Sequence, residues 1–143
     1  MDKTTPCTYC SLAQARVVEE SALSIAFKDA FPVSEGHTLI IPRRHTASFF
    51  DLTLQEREDM MNLISRLKHK LQDELNPQGF NVGVNEGFAA GQTVMHTCMH
   101  LIPRFKGDVP DPRGGVRWLF PDKAVFWDKK PDESPPDLGD AKP

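Results

Sequence analysis

Apolar and polar positions alternate over residues 16–20 and again over 24–28. That period of two predicts the two strands of a hairpin. Residues 29–36 break the pattern with Pro32, Ser34 and Gly36 and read as a loop. Residues 37–42 are mostly apolar, which predicts a central strand. The period then changes. Over 53–75, Leu54, Met61, Ile64, Leu67, Leu71 and Leu75 recur at helical spacing and form one apolar stripe. Thr53 and Glu56 have the spacing of a capping box, in which hydroxyl and carboxylate satisfy the first free amides. Asn76-Pro77-Gln78-Gly79 ends the helix. Residues 80–85 predict a strand, 86–91 a Gly/Ala-rich turn, and 93–102 the strand that completes a second hairpin. Residues 105–115 read as a loop and 116–120 as a short extended piece. From Asp128 onward Lys, Asp, Pro, Ser and Gly leave little to bury, so 129–143 is expected to be a flexible tail behind a domain at 1–128. The pattern as a whole predicts an α+β domain.

Composition narrows the class. The chain has 143 residues, 39% hydrophobic and 26% charged, enough for one domain with a real core. A net charge of -3 implies no general attraction to nucleic acid or to an anionic membrane. No apolar run approaches a membrane span, and nothing resembles a signal peptide. Three cysteines, two of them as Cys7-x-x-Cys10, suit a metal or redox site in a reducing compartment better than a disulfide framework. A cytoplasmic location is the expectation. The pair alone leaves three readings open. A redox pair would want a thioredoxin-like βαβ context, a zinc half-site needs two more ligands, and two unligated buried cysteines would be inert.

The 93–102 strand carries the chemistry. Alternation puts His96, Cys98 and His100 on one face and Thr97, Met99 and Leu101 on the other. Two imidazoles and a thiol on one face are rarely demanded by packing. The run 91–104, Gly-Gln-Thr-Val-x-His-x-Cys-x-His-Leu-Ile-Pro-Arg, resembles the signature of the histidine triad (HIT) family of nucleotide hydrolases and transferases. The family has His at all three alternate positions; here Cys98 stands at the middle one, where the family keeps its nucleophile.

The resemblance, spanning roughly residues 7–104, implies a HIT-like α+β fold: a mostly antiparallel sheet under one long helix, paired into a homodimer. It implies a structural zinc on Cys7, Cys10, His45 and His96, because some branches of the family bind zinc on this pattern. It also implies an AMP-like purine nucleotide as ligand. Asp29 would accept from the ribose hydroxyls. Asn85, Gln92, Thr93 and His100 would contact the phosphate, and His37 would stand near the cluster. Asp29 also reads as a turn residue before Pro32, His37 as a core histidine, His45 as a surface one, and Ile25 and Phe27 as core rather than base-contacting residues. Met60 and Met61 read as core, and His69 as a solvated surface residue.

Cys98 decides the activity. In the family the central imidazole attacks the α-phosphorus of a dinucleoside polyphosphate or adenosine phosphoramidate, and water hydrolyses the nucleotidyl-enzyme. No catalytic metal is needed. A cysteine sulfur ends about 2–3 Å short of where an imidazole Nε2 would be, and ~1 Å of misplacement already costs ~10²-fold. It also lacks a second nitrogen to hold its orientation, and it needs a depressed pKa to ionise. Four roles remain for Cys98: an inactivating replacement in a nucleotide-binding protein, a thiolate nucleophile, a metal ligand beside or in place of His96, or an inert thiol. The function classes are correspondingly three: an enzyme with His96, Cys98 and His100 at its catalytic positions, a catalytically inactive nucleotide sensor, and a zinc-stabilised interaction domain.

Overall fold

Local rules are plainest in the long helix. The computed structural model describes residues 6–130, and in it α1 spans Leu54–Leu75. The Thr53 hydroxyl accepts from Glu56 N–H at 3.1 Å, and the Glu56 carboxylate accepts from Thr53 N–H at 3.0 Å, completing the expected capping box. Asn76 closes the far end in the left-handed region at φ 49°, where Asn is among the residues that adapt best. Pro77 follows.

The buried stripe is not quite the one read from spacing. Met60, Leu63, Ile64, Leu67 and Leu71 are buried, whereas Leu54 is 78% and Met61 49% exposed. Leu54 sits in the first turn and Met61 next to the seam, so the inward face runs through Met60 and Leu63 instead. His69 is exposed, as expected.

Among the described residues five strands form one sheet: β1 Val17–Glu20, β2 Ser24–Lys28, β3 Thr38–Pro42, β4 Gly79–Val84 and β5 Met99–Arg104. Their order is β1-β2-β3-β5-β4, and every adjacent pair is antiparallel. β3 is buried throughout, as its apolar run required. Alternation then divides the core. Ala26, Ile40, Met99 and Leu101 cluster with α1, while Phe27, Leu39 and Ile41 line the opposite face with Tyr9, Leu12, Ile25 and Cys98. Full burial of a side chain such as Leu63 or Leu67 contributes about 1.5–3 kcal/mol, and the α1 face carries the larger of the two buried clusters.

The strand expected at 93–102 begins only at Met99. Continuing the β3–β5 register would set Thr97 against Pro42, which has no N–H to donate. Thr97 N–H instead bonds Thr46 O at 2.7 Å. On the other side, continuing the β4–β5 register would set Glu86 against Thr97. Pairing with β4 stops at Val84, and beyond it the Glu86 carboxylate accepts from Ser48 Oγ at 2.5 Å and Phe49 N–H at 3.0 Å. Residues 92–98 therefore run as an irregular segment, and His96 is placed by that segment rather than by strand alternation.

The described chain divides into two compact units, at Asp108/Val109. In the second unit, residues 116–120 are not extended. Gly115–Leu119 is a 3-10 turn leading into the one-turn helix α2, Pro121–Ala124. Arg117 donates to the carbonyls of Lys123 and Ala124 and lies over the Phe126 ring, and Arg113 lies 3.9 Å from the centre of the Trp127 ring. The expected flexible tail lies outside the described residues from 131 on.

Candidate functional site

Cys7, Cys10, His45 and His96 converge, with their ligand atoms all within 4.8 Å of one another. Cys10 Sγ is 3.3 Å from His45 Nδ1 and 3.6 Å from His96 Nδ1; Cys7 Sγ is 3.6 Å from His96 Nδ1. Tetrahedral zinc, with bonds of about 2.3 Å to sulfur and about 2.0–2.1 Å to nitrogen, spaces its ligand atoms by roughly 3.3–3.8 Å. Three of the six ligand-atom pairs thus already stand at tetrahedral spacing, and the others lie within 4.8 Å. His96 Nε2–H donates to Pro42 O at 2.8 Å, which leaves the Nδ1 lone pair facing the two sulfurs. His96 is 1% exposed, and burial pulls its pKa down, keeping the ring neutral as a ligand must be. Burial and the neighbouring Cys7 raise the Cys10 thiol, an effect a bound cation would reverse. The four residues fit zinc in donor type, spacing and orientation. Cys98 lies outside this group.

The second cluster occupies the sheet face away from α1. Cys98 Sγ is 3.9 Å from His100 Nε2, His100 Nδ1 is 2.9 Å from His37 Nε2, and that nitrogen is 3.5 Å from the Asp29 carboxylate. β5 supplies His100, and Cys98 lies just before it. The turn at Gly36 delivers His37 at the head of β3, and Asp29 follows the end of β2. Burial lowers the pKa of both His37 and His100, with the mutual repulsion of the two rings adding to it at His100. Burial pushes the Cys98 thiol up to about 11, so at neutral pH it is a thiol and not a thiolate.

The remaining predicted residues lie in the segments that precede β5. Asn85 follows β4 and is exposed, as is Thr93. Gln92 is 7% exposed, and backbone groups occupy its amide: it donates to Ala47 O at 2.7 Å and Val94 O at 3.2 Å, and accepts from Gly87 N–H at 2.9 Å. It stitches together the segment that carries His96. Phe27 is a core residue at 1% exposure and Ile25 is half-buried beside it.

Two residues went unnoticed in the sequence. The Tyr9 ring meets Phe27 at 5.3 Å and His96 at 6.0 Å and packs beside Cys98 on the same face. It therefore links the two clusters. Burial, with Cys98 and Asp29 adding to it, pushes its pKa up to about 12. Its position between two paired cysteines was the available signal. Arg16 lies 5.5 Å from the Phe27 ring centre and donates to Lys28 O at 3.3 Å, bringing a cation to this face. Nothing in the spacing marks it.

An antiparallel five-stranded sheet under one helix, with a Cys₂His₂ cluster and a histidine pair on the face away from that helix, defines a histidine-triad type of domain. The HIT domain profile matches residues 12–107, and the chain belongs to the HIT family. It is 33% identical over 102 residues to the adenosine 5'-monophosphoramidase hnt1 of Schizosaccharomyces pombe, covering 68% of this chain and 74% of that protein. It is 34% identical over 94 residues to the asymmetrical bis(5'-nucleosyl)-tetraphosphatase of the same yeast, covering 66% of this chain and 52% of the relative. Among solved structures, a zinc-bound histidine triad family protein from Mycobacterium smegmatis superposes with a TM-score of 0.66 at 31% identity, covering 73% of this chain and 84% of that one. No helix among the described residues is long and apolar enough to cross a membrane.

Proposed function

We propose that this protein binds an AMP-like purine nucleotide on the face bearing Asp29, His37, Cys98 and His100. In this reading it descends from nucleotidyl hydrolases or transferases, and Cys98 reduces or removes the covalent step. The observation that carries the proposal is the position of Cys98. By sequence it matches the position where the family, which includes a phosphoramidase and a tetraphosphatase, keeps its nucleophile, and its sulfur lies 3.9 Å from His100 Nε2. It is shorter than the imidazole it replaces, and burial opposes its ionisation. Asp29 accepts the ribose hydroxyls; Asn85, Thr93 and His100, with the Gln92 segment, hold the phosphate.

Zinc belongs to the same proposal. Cys7, Cys10, His45 and His96 would hold it, and four protein ligands leave no place for substrate, so its contribution is stability. It ties the N-terminal segment to the segment that carries Cys98. A homodimer, a cytoplasmic location and a domain extending over 1–128 complete the reading.

The test pairs binding with turnover. Calorimetry should detect AMP binding to the native chain. AMP release from adenosine phosphoramidate and from diadenosine tetraphosphate should be slow or absent, and Cys98→His should raise it. In that variant the imidazole forms a P–N bond to the α-phosphorus as the leaving group departs with its electron pair, and water then cleaves the P–N bond. Fast turnover by the native chain, abolished in Cys98→Ser, would make Cys98 the nucleophile. Absence of AMP binding would leave a zinc-stabilised interaction domain.

A further inference from the structure

The imidazoles of the sheet face away from α1 are wired to a loop backbone. Val33 N–H points at His37 Nδ1 at 3.2 Å, and Phe31 N–H at Asp29 Oδ1 at 2.9 Å. A ring nitrogen that accepts an N–H carries no proton, so neutral His37 keeps its proton on Nε2. That nitrogen faces His100 Nδ1 at 2.9 Å. His100 Nδ1 must then be the acceptor, which puts the His100 proton on Nε2, the nitrogen turned toward Cys98. One backbone amide therefore dictates the polarity of two rings in succession.

We propose that the 29–36 loop, through Val33 N–H, fixes the tautomers of His37 and His100 and so presents a permanent Nε2–H donor beside Cys98. His37 is a positioning residue: it acts through His100. The same wiring closes the Asp29–His37–His100 trio to a cation, since a metal on His37 Nε2 would strip the ring of its only proton while Nδ1 still accepts from Val33. The inference deepens the nucleotide reading. It rests on that reading only for the identity of the acceptor, a phosphate oxygen, because the tautomers belong to the unliganded protein.

Val33 is 73% exposed, so its side chain can be changed without repacking the core. The experiment is long-range proton–nitrogen NMR on the full chain with nitrogen-15 histidine, at a pH above the imidazole range. His37 and His100 should both show a protonated Nε2 and an unprotonated Nδ1. Val33→Ala, which keeps the amide, should leave this pattern. Val33→Pro, which removes the donor, should move the nitrogen shifts of both rings toward a tautomer mixture. His37→Leu should do so for His100, and His37→Gln, whose terminal amide can donate to His100 Nδ1, should restore the native pattern there. His37→Leu tests the second link even if Val33→Pro fails to fold. A proton on His100 Nδ1 in the native chain, or His100 shifts unmoved in His37→Leu, would overturn the proposal. A protein that shows the expected tautomers but binds no AMP would refute the nucleotide reading and leave this one standing.

Discussion

Gly36→Ala is the substitution that most directly tests how the fold delivers His37. Gly36 has φ +86°, and a Cβ there would lie 2.8 Å from Leu75 Cδ1, 3.0 Å from Leu71 Cδ2 and 3.2 Å from Pro103 Cγ. Two costs follow. An L-residue in the left-handed region costs roughly 1–2 kcal/mol. Overpacking against the end of α1 and β5 costs typically about 1–3 kcal/mol. The two leucine methyls end flexible side chains and can yield, whereas the proline ring cannot, so the lower half of the overpacking range applies. The sum is about 2–4 kcal/mol, roughly 6–16 °C in Tm for a chain of this size. Gly91→Ala separates the two terms. Gly91 has φ +89° with nothing within 4 Å of its Cβ position, so only the conformational cost of about 1–2 kcal/mol remains. Urea unfolding followed by circular dichroism measures both. Equal losses at the two positions would refute the packing argument, and a loss below about 0.5 kcal/mol at Gly36 would refute the geometry of the turn itself.

Zinc analysis of protein purified without chelator should find one ion per chain, and chelation should lower thermal stability; protein free of zinc and indifferent to chelator would remove the site. Cys10→Ser should weaken metal retention without abolishing AMP binding, measured by metal competition and calorimetry. Glu56 accepts from Arg44 at 2.8 Å, and this pairing holds its carboxyl below the usual range. A depressed folded pKa stabilises above the unfolded value and is lost as pH falls through the folded one. Glu56→Gln should therefore cost stability at neutral pH, and its difference from the native chain should vanish in acid. A difference that persists below the carboxylate range would show that the charge is not the cause. Cys98→His should increase AMP release from adenosine phosphoramidate by at least an order of magnitude, about 1.4 kcal/mol in barrier; an unchanged rate would mean that another part of the site is deficient.

What the sequence determined by itself was whatever a local period or a short spacing can encode. The capping box at Thr53 and Glu56, the buried run of β3 and the first hairpin were all legible, while the four zinc-type ligands came only from the family resemblance. The face shared by Cys98 and His100 followed from strand alternation. The tertiary structure decided the rest. Whether 93–98 is strand depends on what its neighbours can donate, and Pro42 has no N–H to give it. Which helix positions turn inward depends on where the sheet lies, so Met60 and Leu63 displaced Leu54 and Met61. Tyr9 packs against Phe27 beside Cys98, and Val33 N–H meets His37 Nδ1, through loop conformations that no periodic pattern encodes. Periodicity reports which side a residue faces; hydrogen-bond polarity depends on which atoms finally meet, and that is known only once the chain is closed.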